Sequence, residues 1–294
     1  MSAATSRYEV STALADLATT PALQRGDGAV EIAFAGRDGV TVLDHLYQRT
    51  PCRALFPRTE TGEPFLATLL TTSGGLTGGD RLRIDVSAGS NAAAAVTTAA
   101  AEKLYRSLGP DTCIDIALSL EEGAWLEWLP QETILFDRAR LMRRVSVKAS
   151  SGGRLLAAET MVFGREARGE RFSTGLLRES WRVRVGGRLV WADELRLDGD
   201  IAARLDDPMA FAGSRVMATA ILVAADAADH LPAARALTEA GACRAGASVV
   251  NGVLIARFLD SRADVVRRAL MRYLEGMRQA AAGLPPVLPR LWSI

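Results

Sequence analysis

Regular alternation of apolar and polar residues through the first two-thirds of the chain limits its fold more than any other feature. Ile114, Ile116 and Leu118, for example, alternate with Asp115 and Ala117. A period of two places the apolar side chains on one face of a β-strand and the polar ones on the other. Such patterns predict strands over residues 29–35, 39–46, 65–72, 81–86, 92–98, 114–120, 124–129, 144–148, 154–163 and 214–224.

Short turns join several of these strands. Gly186-Gly187 predicts a hairpin between segments 178–185 and 188–197, and Asn251-Gly252 predicts another. The gaps between the other predicted strands are too short for the crossover helices of a βαβ architecture. The chain is therefore predicted to be mainly β up to about residue 225.

Helical spacing occurs only in residues 226–294. Asp229 is predicted to cap one helix that runs toward Gly241, and a longer helix is predicted from Ser261 to Gly283. The longer helix has an apolar stripe that either packs on the β body or binds a helical partner; it consists of Val266, Ala269, Leu270, Tyr273 and Met277. Together the patterns predict a single domain over residues 26–294, preceded by an N-terminal segment, residues 1–25.

Charge and hydropathy exclude several classes of function. The 294 residues include 35 basic and 34 acidic ones, so no excess charge favours nucleic acid as a partner. No segment reaches the roughly 20 apolar residues that span a membrane. The first residues include Glu9 and Asp16 and do not resemble a signal peptide. We expect a cytoplasmic protein that binds neither nucleic acid nor membrane.

A glycine cluster invites comparison with a phosphate-binding loop. Gly74 and Gly79 have the right spacing, but Asp80 and Arg81 stand where that loop has lysine and serine or threonine. A carboxylate at the lysine position would repel phosphate, and the next residues predict a strand instead of a helix. We interpret the cluster as a tight turn between strands.

Catalytic and tight metal-binding patterns are weak. His45 and His230 are far apart in sequence, and the three cysteines are widely spaced, so a zinc-type site is not supported. Carboxylates in the β region could instead bind a divalent ion weakly, as hard oxygen ligands do. Glu127 and Glu132 could also act as the carboxylate pair of a β-solenoid carbohydrate-active enzyme, which remains an alternative.

Several motifs occur together in a fixed order. They are Gly74-Gly-Leu-Thr-Gly-Gly-Asp80, Thr97-Thr98, Lys103-Leu-Tyr-Arg-Ser107, Leu126-Glu-Trp-Leu-Pro-Gln-Glu-Thr-Ile-Leu-Phe136, Gly164-Arg, Gly169-Glu-Arg-Phe172 and Pro289-Arg-Leu-Trp292. In this order they resemble the urease accessory protein family UreD, also called UreH. The resemblance extends from about residue 30 to the end of the chain.

The resemblance implies a fold and a function. The fold is mainly β, with stacked twisted sheets of β-helix-like winding and a small number of helices, mostly C-terminal. The implied function is non-catalytic: the protein binds apo-urease and recruits UreF and the GTPase UreG. Nickel would pass transiently through the chain, with no tightly bound cofactor. Residues inside the matching motifs are candidates: Asp80, Glu132 and Glu170 for the nickel path, and Thr98, Tyr105 and Arg106 for other roles.

Overall fold

Two large β-sheets stacked face to face form the body of the protein. The computed structural model describes residues 25–165 and 168–293, so the predicted N-terminal segment lies outside the described residues except for its last one. The described strands are β1 (Asp27–Arg37), β2 (Val40–Arg49), β3 (Cys52–Leu55), β4 (Phe65–Thr71), β5 (Arg81–Ala88), β6 (Ala93–Thr98), β7 (Glu102–Leu104), β8 (Thr112–Leu120), β9 (Trp125–Leu129), β10 (Thr133–Leu135), β11 (Arg140–Ala149), β12 (Arg154–Arg165), β13 (Glu170–Arg171), β14 (Leu176–Val185), β15 (Arg188–Asp198), β16 (Val216–Val223), β17 (Arg244–Val250) and β18 (Val253–Asp260).

The chain winds back and forth between the two sheets. The first sheet has the order β15-β14-β11-β8-β5-β1-β2, and the main path of the second is β17-β18-β16-β12-β9-β6-β4-β3. Neighbours β5, β8, β11 and β14 pair in parallel, and between them the chain crosses to β6, β9 and β12 in the opposite sheet. Parallel pairing is thus achieved without crossover helices. This winding confirms the mainly β fold with stacked sheets and β-helix-like turns.

Alternation along each strand points its apolar residues into the space between the sheets. In β8, Ile114, Ile116 and Leu118 are buried, whereas Asp115 and Ala117 are less buried on the other face. The burial of apolar side chains provides the main driving force for this packing. The long strands therefore lie where the alternation predicted them.

Sequence patterns missed the shortest elements. β3, β7 and β13 have two to four residues each, too few to establish a period of two. A six-residue helix, α1 (Ile201–Asp206), was also missed; Asp200 caps it by accepting a hydrogen bond from the Ala203 amide. These short elements lie in the segments where the chain passes from one sheet to the other.

The helices after residue 226 lie on the outer face of the second sheet. Helix α2 (Leu231–Glu239) follows a 3-10 turn, and its N-cap is His230, so the prediction that Asp229 caps it was wrong. Asp229 instead lies within the preceding turn. Helix α3 (Ala263–Ala282) begins near the predicted position and ends at Gly283, whose left-handed φ of 64° is favourable for glycine. Among the described helices, none is long and apolar enough to cross a membrane.

The apolar stripe of α3 is turned toward the sheet. All five of its residues are buried in a second core cluster with Leu254 and Phe258 of β18. The suggestion that the stripe binds a helical partner was therefore wrong, because the β body already covers it. Trp292, in the 3-10 turn Arg290–Trp292, adds to this cluster and donates its indole N–H to the Leu129 carbonyl at 3.2 Å.

Candidate functional site

The glycine cluster forms the predicted turn between β4 and β5. Its central feature is the buried Asp80, whose two carboxylate oxygens accept hydrogen bonds from the Gly26 and Thr77 amides, each at 2.7 Å. Gly74 and Gly79 have φ values of 71° and 95°, a region that glycine adopts without strain. Strand β5 follows directly. Hydrogen bonds from two backbone amides to the Asp80 carboxylate thus hold the loop in place.

Beside this turn a cavity of about 190 Å³ opens between the two sheets. Its walls are largely apolar and come from both sheets, with Val30, Leu82 and Ile116 on one side and Leu69 and Trp128 on the other. Its rim is formed by the glycine turn and by the end of β6 with the residues that follow it, namely Gly74, Gly75, Thr98, Ala99, Ala100 and Ala101. The cavity therefore connects the surface at the rim with the interior of the β body.

Glu102 is the acidic residue of the cavity rim. Its Oε2 accepts a hydrogen bond from the Thr71 hydroxyl at 3.0 Å. Burial is the main cause that raises the pKa of Glu102, and the nearby charge of Asp80 adds to the increase. The carboxylate is thus half enclosed at the mouth of the cavity.

The inner end of the cavity is a buried cluster of charges. Arg143 Nη1 lies 2.7 Å from Glu159 Oε2, and its Nη2 donates to Glu179 Oε1 at 2.9 Å. Two tryptophans complete the cluster, because Trp128 donates its indole N–H to Glu159 at 2.8 Å and Trp181 donates to Glu179 at 3.2 Å. One guanidinium therefore faces two carboxyl groups.

The charges of this cluster do not balance when both carboxyl groups are ionised. Burial raises the pKa of Glu159 to about 7; Arg143 opposes the rise, and the charge of Glu179 adds to it. Glu159 Oε2 is in contact with the Arg143 guanidinium, whereas Glu179 Oε2 has no hydrogen-bond donor among the residues that the structure describes. The cluster can therefore take up one positive charge, either a proton or a cation, without an additional anion.

The strand pattern explains how these charges come to face inward. Arg143 occupies an inward position in β11 between Leu141 and Val145, and Glu179 lies next to Leu177 along the inward face of β14. Sequence reasoning missed Glu102, Arg143, Glu159 and Glu179 as site residues. A signal was nevertheless available, because a charged residue at an apolar position of an alternating strand must find a buried partner.

Thr98 lies on the cavity rim, whereas Glu132 lies under the C-terminal helix. The Thr98 hydroxyl accepts a hydrogen bond from the Gln131 amide at 2.8 Å. Arg267 of α3 donates to Gln131 Oε1 at 2.7 Å and to Glu132 Oε1 at 2.6 Å. The Gln-Glu-Thr segment thus links the cavity rim to α3, and Glu132 does not line the cavity.

Tyr105, Arg106 and Glu170 come together in a separate surface cleft of about 540 Å³. Glu170 accepts hydrogen bonds from Arg165 and from the Asp137 amide, the latter at 3.0 Å. The hydrogen bond from Arg165 is the main reason that the pKa of Glu170 is lowered. The three acidic candidates therefore lie in three places: the glycine turn, the contact with α3 and this cleft.

Histidine and cysteine do not cluster in the structure. His45 lies 3.9 Å from Glu31 and His230 lies 3.3 Å from Asp226, each in a separate pair. Within residues 25–165 and 168–293, no group of three or more His, Cys, Asp or Glu side chains is arranged to hold a metal ion.

Glu127, one of the two acids considered for glycan cleavage, is completely buried beneath α3. Its Oε1 accepts hydrogen bonds from Arg278 at 2.7 Å and from the Trp125 indole at 3.0 Å. A glycosidase needs both carboxyl groups to face a shared substrate cleft. Glu127 cannot meet this requirement, so the carbohydrate-active alternative loses its geometric basis.

These features define a two-sheet β protein with a largely apolar, partly enclosed cavity that ends at a buried arginine–glutamate cluster. The family model described as UreD urease accessory protein matches residues 26–293. A urease accessory protein UreD of Magnetococcus marinus is 44% identical over 272 residues, covering 91% of this chain and 94% of that protein. The UreD of a Methylobacterium species is 44% identical over 279 residues, covering 93% and 96%, and that of Rhodopseudomonas palustris is 41% identical over 268 residues, covering 91% and 93%.

The chain therefore belongs to the UreD family of urease accessory proteins. The resemblance inferred from the motifs is confirmed, and with it a role in urease maturation.

Proposed function

We propose that this protein is a non-catalytic nickel conduit that binds apo-urease and recruits UreF and UreG. The observation that supports it best is the cavity, which leads from Glu102 at the rim to Glu159 at the Arg143 cluster. Nickel is the cargo in this proposal and is not retained by the chain.

The chemistry of the interior suits a transient ion. Carboxylate oxygens bind divalent ions less tightly than thiolates or clustered imidazoles bind nickel, so an ion that reaches them can leave again. Glu102 would receive the ion at the rim, next to Asp80. Glu159 and Glu179 would compensate part of its charge inside, and a proton released from Glu159 would offset one of the two positive charges of the ion.

Glu132 and Glu170 remain proposed positions on a nickel path outside the cavity. Each is paired with an arginine, Arg267 and Arg165 respectively. If either glutamate carries nickel, its replacement by Leu should lower urease activation while partner binding survives. Loss of activation together with loss of binding would assign it a structural role instead.

The direct test is urease activation in cells that contain or lack this chain, at fixed nickel. The urease subunits and the other accessory proteins stay present in both strains. Without the chain, apo-urease should accumulate with little nickel, and supplying the chain on a plasmid should restore activity. Full urease activity in the deletion strain at ordinary nickel levels would contradict the proposal.

A further inference from the structure

The cleft around Tyr105 and Arg106 has one more basic than acidic side chain in its lining. Three arginines, Arg106, Arg138 and Arg165, line it together with two acids, Asp137 and Glu170. Both acids are already engaged in contacts that hold the cleft together. Asp137 Oδ1 accepts hydrogen bonds from the Ser173 and Thr174 amides at 2.8 and 3.1 Å, and Glu170 is paired with Arg165.

Two guanidinium groups of the cleft are consequently left for a ligand. Arg106 is exposed and makes no side-chain hydrogen bond or ion pair with any residue that the structure describes. Arg138 is 68% exposed, and its closest carboxylate contact, with Asp137, is 3.8 Å long. Arginines that present planar, exposed guanidinium groups are suited to binding carboxylates.

The backbone holds Arg138 in an unfavourable conformation. Its φ of 62° lies in the left-handed region, which costs a residue with a side chain about 1 kcal/mol or more. The conformation is maintained because the Arg138 amide donates to the Thr174 carbonyl at 2.9 Å while Asp137 holds the Ser173–Thr174 segment. Strain that the surroundings enforce is typical of functional positions.

The cleft lies next to the mouth of the cavity because Tyr105 of the cleft contacts Gly74 of the cavity rim. The Tyr105 hydroxyl donates to the Gly74 carbonyl of the cavity rim at 3.1 Å. On its other side, the ring packs edge-on against Phe136 in the cleft, with ring centroids 4.9 Å apart. The Arg165 guanidinium lies over the Phe136 ring, with its carbon 4.0 Å from the ring centroid. A molecule bound in the cleft would therefore border the cavity mouth.

We propose that this arginine cleft, formed by Tyr105, Arg106, Phe136, Arg138 and Arg165, docks an acidic segment of apo-urease beside the cavity mouth. The inference rests on the proposed function and adds the place and chemistry of contact. Carboxylates of the segment pair with Arg106 and Arg138, and its apolar atoms contact the edges of the two aromatic rings. A protein segment fits better than a small anion because the cleft is open and combines charge with aromatic surface.

The test measures the affinity of the full-length chain for purified apo-urease over a range of about 50 to 300 mM NaCl. The variant Arg106→Glu/Arg138→Glu reverses the two available charges. The control Arg184→Glu/Arg188→Glu makes the same change in net charge at exposed positions on the β14–β15 hairpin, at the opposite end of β14. A third variant, Arg106→Lys/Arg138→Lys, keeps the charge but removes the planar guanidinium groups. Circular dichroism establishes that each variant is folded.

We expect the cleft variant to bind apo-urease at least about tenfold more weakly at low salt and to lose most of the salt dependence. The hairpin control should remain within about twofold of the wild-type chain, and the lysine variant should lie between. Wild-type affinity and salt dependence in the folded cleft variant would overturn the inference and leave the proposed function intact. If the wild-type chain does not bind apo-urease, the proposed function falls as well, so the two failures are distinguishable.

Discussion

Arg143 and Glu159 form an ion pair between the two sheets, with 2.7 Å between Nη1 and Oε2 and side chains that are 4% and 2% exposed. A pair so deeply buried loses the hydration of both ions, and its attraction offsets this loss only while both partners remain. Glu179 shares the same guanidinium. The stability of the β body therefore depends on the charges of Arg143, Glu159 and Glu179.

Replacing Arg143 with Met should strongly destabilise the protein. Two buried carboxyl groups would lose their counterion, and we expect the free energy of unfolding to fall by about 3–5 kcal/mol. The matched control is Arg144→Met, on the outer face of the same strand, where Arg144 pairs with Asp115 at the surface. That change should cost no more than about 1 kcal/mol. Urea unfolding of both variants tests the prediction, and equal losses would refute it.

The pH dependence of stability should report on Glu159. Its pKa rises from 4.5 to about 7 in the folded protein because burial disfavours the charged form. Folding therefore favours the proton: the resulting stabilisation is complete below about pH 4.5 and is lost as the pH rises through 7. Relative to Glu159→Gln, the wild-type protein should lose up to about 3 kcal/mol over this interval.

The measurement compares unfolding free energies of the wild-type protein and Glu159→Gln at several pH values. Glu194→Gln is the control, because the hydrogen bond from Arg178 holds the pKa of Glu194 low at the surface. This variant should keep the wild-type loss of stability between pH 5 and 7. A wild-type curve parallel to that of Glu159→Gln would contradict the assignment.

Core packing of α3 gives a third prediction. Leu270→Ala should lower the free energy of unfolding by about 2–5 kcal/mol, because Leu270 is 1% exposed against the second sheet. Tyr273→Phe should be neutral or slightly stabilising, since the buried Tyr273 hydroxyl has no hydrogen-bond partner in the described part of the chain. Thermal unfolding of both variants provides the comparison. A large loss in Tyr273→Phe would show that the hydroxyl is satisfied after all.

The strand framework could be predicted from the sequence because alternation directly specifies which residues face the core. In β14 the pattern even placed Glu179 on the same face as Trp181 and Val183. The pattern could not identify the partner of Glu179, because Arg143 meets it only when β11 and β14 pair in parallel. Pairings between distant strands follow from the winding of the whole chain, and single-strand periodicity does not contain them.

The cavity could not be predicted from the sequence for a related reason. Its rim depends on β7 and β10, three-residue strands that pair with each other and are too short to show a period. Glu102 lies at the start of β7, so its place at the cavity mouth follows from that pairing. The family motifs did indicate Thr98 and Asp80, which lie at the rim and in the adjoining turn.

Access through the cavity mouth gives a fourth prediction. Ala100 is exposed on the rim, and Ala100→Trp would place a large side chain there without changing the core. If nickel enters or leaves at this point, urease activation should fall several-fold while the chain still co-purifies with apo-urease. The matched control is Ala192→Trp, at an exposed position of β15. Equal activation by both variants would argue against passage through the mouth.

The most direct measurement is the nickel content of urease purified from cells that carry Glu102→Gln/Glu159→Gln in this chain. Both changes keep the shape of the side chain and remove its charge, and Glu179 remains as the counterion of Arg143, so the fold and the partner contacts should survive. At fixed nickel, we predict normal co-purification with apo-urease and several-fold less nickel per urease active site than with the wild-type chain. Wild-type nickel content in urease matured by the double variant would contradict the conduit.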